Sequence, residues 1–296
     1  MAKNELSLSN LDKIYWPDEK ITKGDLIRYY EKMAPFILPY LKNRPLSLKR
    51  NPNGIKDEGF YHKDAGDIAP GWIKTANIHS ESSHKIVHYL VCNNVKSLLF
   101  IANLGCIEMN PWNSVVSQPN KPDYLVMDID PSEKNTFDQV IDVALVIKDI
   151  LDKATLTGYC KTSGASGLHV YIPCKKKYTY DEVRDFAKII ATLVNEQLPD
   201  STTLERSLKK RKKNEIYVDY LQNSRGQTLA SAYSVRPRPG ATVSAPLEWK
   251  EVKHGLLPSN FTINNIFKRV SKKGDLFKGV LGKGINIPAA LKKLGA

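Results

Sequence analysis

Asp123-Tyr124-Leu125-Val126-Met127-Asp128-Ile129-Asp130-Pro131 is an apolar run of strand length that ends in two acids set two residues apart. Pro131, with no N–H to offer a sheet, closes it. In a strand this spacing puts both carboxylates on one face, about 7 Å apart at the backbone. Outward from it, helical periodicity spans Phe137 to Lys153, and short strands follow around Gly158 to Thr162 and Leu168 to Ile172. A second helix runs from Tyr180 to about Gln197, and the β-rich run Glu215 to Leu221 (EIYVDYL) closes the segment. The order β-α-β-β-α-β is that of a ferredoxin-like or RNA-recognition-motif-like sheet, so the fold class is α+β. There the first and third strands are central and the fourth flanks the first, so residues on these three can share one face.

Upstream the pattern is less regular. A helix is predicted from Lys23 to about Leu41, with Leu26, Tyr30, Met33 and Ile37 on its apolar face, followed by a short strand from Leu46 to Arg50. The expected organisation is a mixed N-terminal α/β lobe over 1–120, packed against a lobe over 121–296 that carries the sheet and a C-terminal extension as one compact unit.

The chain has 296 residues, 42% hydrophobic and 25% charged, enough to bury a core. Its 44 Lys and Arg exceed its 31 Asp and Glu by 13, so an anionic partner is expected, nucleic acid being the commonest. Lys209 to Lys213 (KKRKK) reads as a solvated loop. The four cysteines, Cys92, Cys106, Cys160 and Cys174, show no metal or CxxC spacing and lie in apolar surroundings, which suits buried thiols in a reducing compartment. No stretch approaches the ~18 apolar residues of a membrane span and the N-terminus has no apolar leader, so a cytoplasmic protein with no membrane partner is expected.

A DxD pair before proline also fits a solvated turn or a helix N-cap. Asp219, alone in the apolar run EIYVDYL, changes the weight, because an unpaired carboxylate there would be costly. If the sheet order holds, Asp128, Asp130 and Asp219 converge, and three such acids call for a divalent cation of the Mg²⁺ or Mn²⁺ kind. The turn Thr162-Ser163-Gly164-Ala165-Ser166-Gly167-Leu168-His169 has glycines that let main-chain N–H groups approach an anion, with Ser163 and His169 as side-chain donors. A plain hairpin would explain the glycines but not the histidine. Arg236-Pro237-Arg238-Pro239-Gly240 reads as a stiffened extended segment holding two arginines on one side, suited to phosphate. Lys49 and Arg50, with Phe60, Tyr61, His62 and Lys63, interleave basic groups with aromatics that could stack on bases.

Together these residues resemble the polymerase domain of bacterial DNA ligase D, of the archaeo-eukaryotic primase superfamily. The likeness runs from Leu8-Ser9-Asn10-Leu11-Asp12-Lys13 and Ile21-Thr22-Lys23-Gly24-Asp25 through the DIDP at 128–131 to Pro246-Leu247-Glu248-Trp249. It implies a primase-type core in which Asp128, Asp130 and Asp219 bind two metal ions, Mn²⁺ or Mg²⁺. It further implies that Ser163 and His169 bind the triphosphate, and that Lys49, Arg236 and Arg238 contact the nucleotide with Gln222 close by. Asn10, Lys13 and Lys23 would hold the 5′-phosphate of a downstream DNA strand, and Phe60 with Tyr61 would stack near the template. The implied activity is template-dependent extension of a primer 3′-OH at DNA gaps, overhangs or ends in non-homologous end joining, with preference for ribonucleoside triphosphates. The implied partners are DNA, nucleoside triphosphates, Ku and a separate DNA ligase, in the nucleoid. A non-catalytic nucleic-acid-binding module and a metal-dependent nuclease are the rival classes. Two positions depart from the family pattern: Asn110 stands where histidine is common, and Ser166 where lysine is frequent. No ligase or phosphoesterase module is recognised, so a stand-alone member or one domain of a larger protein is expected.

Overall fold

The computed structural model describes residues 5–81 and 84–295. The chain runs through β1 (Ile14–Trp16), β2 (Ile21–Thr22), α1 (Lys23–Leu41), β3 (Pro45–Arg50), β4 (Phe60–His62), β5 (Lys74–Ser80), β6 (Lys85–Val91), α2 (Val95–Asn103) and β7 (Cys106–Pro111). It continues through β8 (Tyr124–Asp130), α3 (Phe137–Lys153), β9 (Tyr159–Thr162), β10 (Leu168–Pro173), α4 (Tyr180–Gln197), β11 (Thr202–Thr203), β12 (Ile216–Asp219), β13 (Pro246–Leu247), α5 (Ile266–Lys273) and α6 (Ile287–Leu294).

These elements form two compact units. The first takes in the described residues up to Ser117 with Thr228–Ser244 and Phe261–Lys272, and the second Gln118–Gln227, Ala245–Asn260 and the described residues from Lys273. After β12 the chain returns to the first unit over Thr228–Ser244, and again over Phe261–Lys272. The reason lies in backbone hydrogen bonds that a buried segment must satisfy. Ser231 N–H donates to the Met109 carbonyl at 3.0 Å, Val235 N–H to Tyr30 Oη at 3.2 Å, and Tyr29 Oη to the Tyr233 carbonyl at 2.7 Å.

In the first unit, β3 lies between β4 and β6, β5 follows β6, and β7 also pairs with β3. Helix α1 starts at a capping box in which Thr22 and Asp25 satisfy each other's backbone N–H groups, and it buries Leu26, Tyr30, Met33 and Ile37.

The second unit is a six-stranded sheet ordered β11-β12-β8-β10-β9-β13. Its inner four strands follow the β-α-β-β-α-β connection β8-α3-β9-β10-α4-β12. Two short strands extend it, β11 parallel to β12 and β13 antiparallel to β9; at two residues each they are too short to show a period in the sequence. Capping boxes at Thr136 and Gln139 and at Thr179 and Glu182 start α3 and α4, whose apolar stripes are buried. Along β8 the side chains alternate, so Leu125, Met127 and Ile129 leave one face and Tyr124, Val126, Asp128 and Asp130 the other.

All four cysteines are buried free thiols. Burial pushes each one up, Cys92, Cys160 and Cys174 to about 12, so they stay protonated and unreactive at neutral pH. Among the described residues no helix is long and apolar enough to cross a membrane.

Candidate active site

In the second unit the sheet register assembles the site. Asp128 on β8 lies opposite Asp219 on β12 and, on its other side, opposite His169 on β10; His169 in turn lies opposite Lys161 on β9. Cross-strand partners share a face, so Asp219, Asp128, His169 and Lys161 form one row across the sheet. Asp130 stands two residues further along β8, opposite Tyr217, at the exposed end of the strand.

Contacts within the row are close. His169 Nε2 is 3.2 Å from Asp128 Oδ1, and His169 Nδ1 is 2.8 Å from Lys161 Nζ. Asp219 Oδ1 accepts from Tyr217 Oη at 3.0 Å and from the Leu221 N–H at 2.7 Å. Burial, and after it the charge of Asp128, nevertheless hold the Asp219 carboxyl above the usual carboxylate range, against the pull of these donors.

Two buried carboxylates on facing strand positions repel, and a divalent cation would relieve them. The donors are all hard oxygens, which suits Mg²⁺ or Mn²⁺. Among the described residues no three His, Cys, Asp or Glu side chains are already gathered as an ion site. Asp128 and Asp219 are the pair that fits a cation, with Asp130 as the third acid of that face.

The glycine-rich turn joins β9 to β10. Gly164 adopts φ +73°, and Gly167 is pressed so closely to β8 that a Cβ there would lie 2.2 Å from the Ile129 carbonyl oxygen, between the two aspartates. Ser163 Oγ accepts the N–H groups of Ala165 and Gly167, both at 3.0 Å, so this hydroxyl shapes the turn from within. Gln222 sits in the turn after β12; its N–H is among the donors to Asp219, and its side-chain Oε1 is buried with no hydrogen-bond partner.

The other expected residues belong to the first unit. Lys49 lies opposite both Tyr61 and Glu108 in the register, its Nζ 5.0 Å from the centre of the Tyr61 ring. Arg50 stacks over Phe60 at 5.3 Å. Phe60 and Tyr61 are 48% and 59% exposed, open enough to receive a base. The segment 236–240 is not the straight rod expected: Arg238 N–H donates to the Arg236 carbonyl at 2.8 Å, a three-residue turn about Pro237. Arg236 Nε donates to buried Glu108 Oε2 at 2.7 Å, while Arg238 is exposed.

Asn10, Lys13 and Lys23 come together because the 10–13 turn docks on the start of α1. Lys23 N–H donates to the Lys13 carbonyl and Gly24 N–H to the Leu11 carbonyl, both at 2.8 Å. Lys13 Nζ reaches Asn53 Oδ1, and Lys23 Nζ donates to the Ser9 carbonyl at 2.8 Å. Burial, then the neighbouring Lys13 charge, lower the affinity of Lys23 for its proton.

Sequence reasoning missed Lys161, Tyr217, Arg211 and the role of Glu108. Tyr217 and Asp219 share a strand face at the i, i+2 spacing that exposed the DxD pair, and this was legible. Arg211, within the KKRKK run, lies 3.9 Å over the Tyr217 ring, so that run is a loop anchored by its central arginine.

The inner four strands of this sheet carry two facing acids with a histidine on the other side of Asp128, the arrangement that the resemblance to the primase-type polymerase domains implies. The chain belongs to the LigD primase-polymerase domain family, whose pattern it matches over residues 22–277. It is 35% identical over 272 residues to the bifunctional non-homologous end joining protein LigD of Bacillus subtilis strain 168, covering 91% of this chain and 43% of that protein. It is 29% identical over 287 residues to the multifunctional non-homologous end joining DNA repair protein LigD of Mycobacterium tuberculosis H37Rv, covering 94% of this chain and 37% of that one. The chain thus spans less than half the length of these relatives. The solved structure of the polymerase domain from Mycobacterium tuberculosis ligase D in complex with DNA superimposes with a TM-score of 0.87 at 28% identity, covering 96% of this chain and all of that one.

Proposed function

We propose that this chain is a template-dependent nucleotidyltransferase that extends a primer 3′-OH with nucleoside triphosphates at gaps or broken ends of DNA in end joining. The observation that carries this reading is the buried Asp128–Asp219 pair with His169 on its other side. Asp128, Asp130 and Asp219 would hold the divalent cations, Mn²⁺ or Mg²⁺. When bound, these ions lower the pKa of the attacking hydroxyl and neutralise the leaving pyrophosphate. His169 donates through Nε2 to a triphosphate oxygen, and the Ser163 hydroxyl holds the turn that presents it. Lys49, Arg236 and Arg238 supply positive charge for phosphate. Asn10, Lys13 and Lys23 receive a terminal 5′-phosphate, and Phe60 and Tyr61 a template base. Family membership extends the proposal to Mn²⁺ over Mg²⁺, to ribonucleotide preference, and to Ku and a separate ligase as partners.

A gapped duplex with labelled primer, Mn²⁺ and ribo- or deoxyribonucleotides tests the reading. Primer extension is expected, and Asp128→Ala, Asp130→Ala or Asp219→Ala each abolishes it while DNA affinity stays equal or rises slightly, because affinity rests on cationic contacts. Primer shortening would assign a nuclease instead, and a mobility shift without extension a binding module.

A further inference from the structure

We propose that Lys161 is a positioning residue that fixes the tautomer of His169, so that an N–H and not a lone pair stands at Nε2 beside Asp128. Lys161 is fully buried, 0% exposed, on β9. A buried ammonium has to be paired. Its Nζ lies 2.8 Å from His169 Nδ1 and 5.5 Å from the centre of the Tyr171 ring, whose face also attracts a cation. A charged Lys161 has three N–H donors and no lone pair, so Nδ1 then accepts, and a neutral imidazole that accepts at Nδ1 carries its proton at Nε2. On the opposite side Asp128 Oδ1, 3.2 Å from Nε2, is a carboxylate oxygen that only accepts, and it selects the same tautomer. The other tautomer would set donor against donor at Nδ1 and lone pair against lone pair at Nε2. The register of β9, β10 and β8 holds all three side chains in line, so the selection is built into the sheet. A ring held this way offers a phosphate oxygen an N–H, whereas the other tautomer would face an anion with a lone pair. This consequence rests on the polymerase reading; the tautomer does not.

Imidazole ¹⁵N NMR on histidine-labelled protein, with the His169 resonances identified by their loss in His169→Gln, tests the tautomer without substrate or metal. Wild type is expected to show His169 neutral and protonated at Nε2. Lys161→Arg, which keeps a donor, retains that state, and Lys161→Met, which leaves Asp128 alone to select, admits a measurable share of the Nδ1–H form. An Nδ1–H ring or an imidazolium in wild type overturns the proposal, as does Lys161→Met with the wild-type tautomer. Kinetics supply the second arm, with melting curves to establish that each variant is folded. Lys161→Met is expected to raise the nucleotide KM roughly tenfold, the effect of one weakened charge-assisted contact, with DNA affinity unchanged. In a His169→Ala background the same substitution adds nothing; an equal effect in both backgrounds means Lys161 does not act through His169. Should Lys161→Met not fold, the wild-type tautomer and Lys161→Arg still decide. Failure to extend any primer would remove the polymerase reading and leave the tautomer result standing.

Discussion

Replacing Asp219 by asparagine is expected to abolish extension and, in the absence of metal, to stabilise the protein. Asp219 faces Asp128 across β12 and β8 at about 5 Å between backbones, and at an effective dielectric constant of about 20 two charges that close repel by about 3 kcal/mol. Against this stand three donors to the carboxylate, from Tyr217, Leu221 and Gln222, each worth about 1 kcal/mol more to a charged than to a neutral acceptor. Desolvation, the largest cause of the upward shift, comes on top of the repulsion, so the charged carboxylate is left disfavoured in the folded protein. Asparagine keeps an acceptor for the same donors and sheds the charge. The sign in pH follows from the folded carboxyl lying above its unfolded value: native protein holds the proton longer, so wild-type stability falls as pH rises from the ordinary aspartate range through the raised folded pKa, and is flat beyond it. The amide of the Asp219→Asn variant cannot titrate. The difference between the proteins, measured by urea unfolding in chelator, should therefore be smallest below the ordinary aspartate range and grow as pH rises through the raised folded value, with the Tm of Asp219→Asn above that of wild type at the upper end. Added Mn²⁺ should stabilise wild type and not Asp219→Asn. A metal-free Asp219→Asn that is less stable than wild type at pH 7 would refute the claim that the pair is held under electrostatic strain.

Three further expectations follow from particular contacts. Gly167→Ala places a Cβ 2.2 Å from the Ile129 carbonyl, so β8 must shift between its two aspartates; about 2 kcal/mol of stability and at least about tenfold of extension rate should be lost, and wild-type extension would show that the close approach is not needed. Glu108→Ala leaves the guanidinium of Arg236 without its 2.7 Å partner and should cost about 3 kcal/mol in urea unfolding, whereas a loss below about 0.5 kcal/mol would reduce the pair to an ordinary surface bridge. Wild type should bind a 5′-phosphorylated gap more tightly than its 5′-hydroxyl twin by fluorescence anisotropy at fixed salt, and Lys13→Ala with Lys23→Ala should erase the difference; a preference that survives the double variant places the phosphate elsewhere.

The sequence by itself determined the local elements. Helices α1, α3 and α4 span the ranges read from periodicity, because their apolar stripes and their Thr22, Thr136 and Thr179 caps are written in consecutive residues. The DxD pair was legible for the same reason, since a strand's two-residue period puts Asp128 and Asp130 on one face without knowledge of any neighbour. Only the tertiary structure decided what depends on register and return. Which residue of β12 meets Asp128, and that Lys161, His169 and Asp128 align, follow from how strands far apart in the chain hydrogen-bond, and a slip of one residue would have turned each side chain to the other face. The return of 228–244 to the first unit was equally hidden. Its backbone groups are satisfied by Met109 and Tyr30, more than a hundred residues earlier in the chain, and no local pattern records a partner at that distance. Arg236 reads alone as a phosphate ligand; its ion pair with Glu108 exists because that return brings position 236 beside β7.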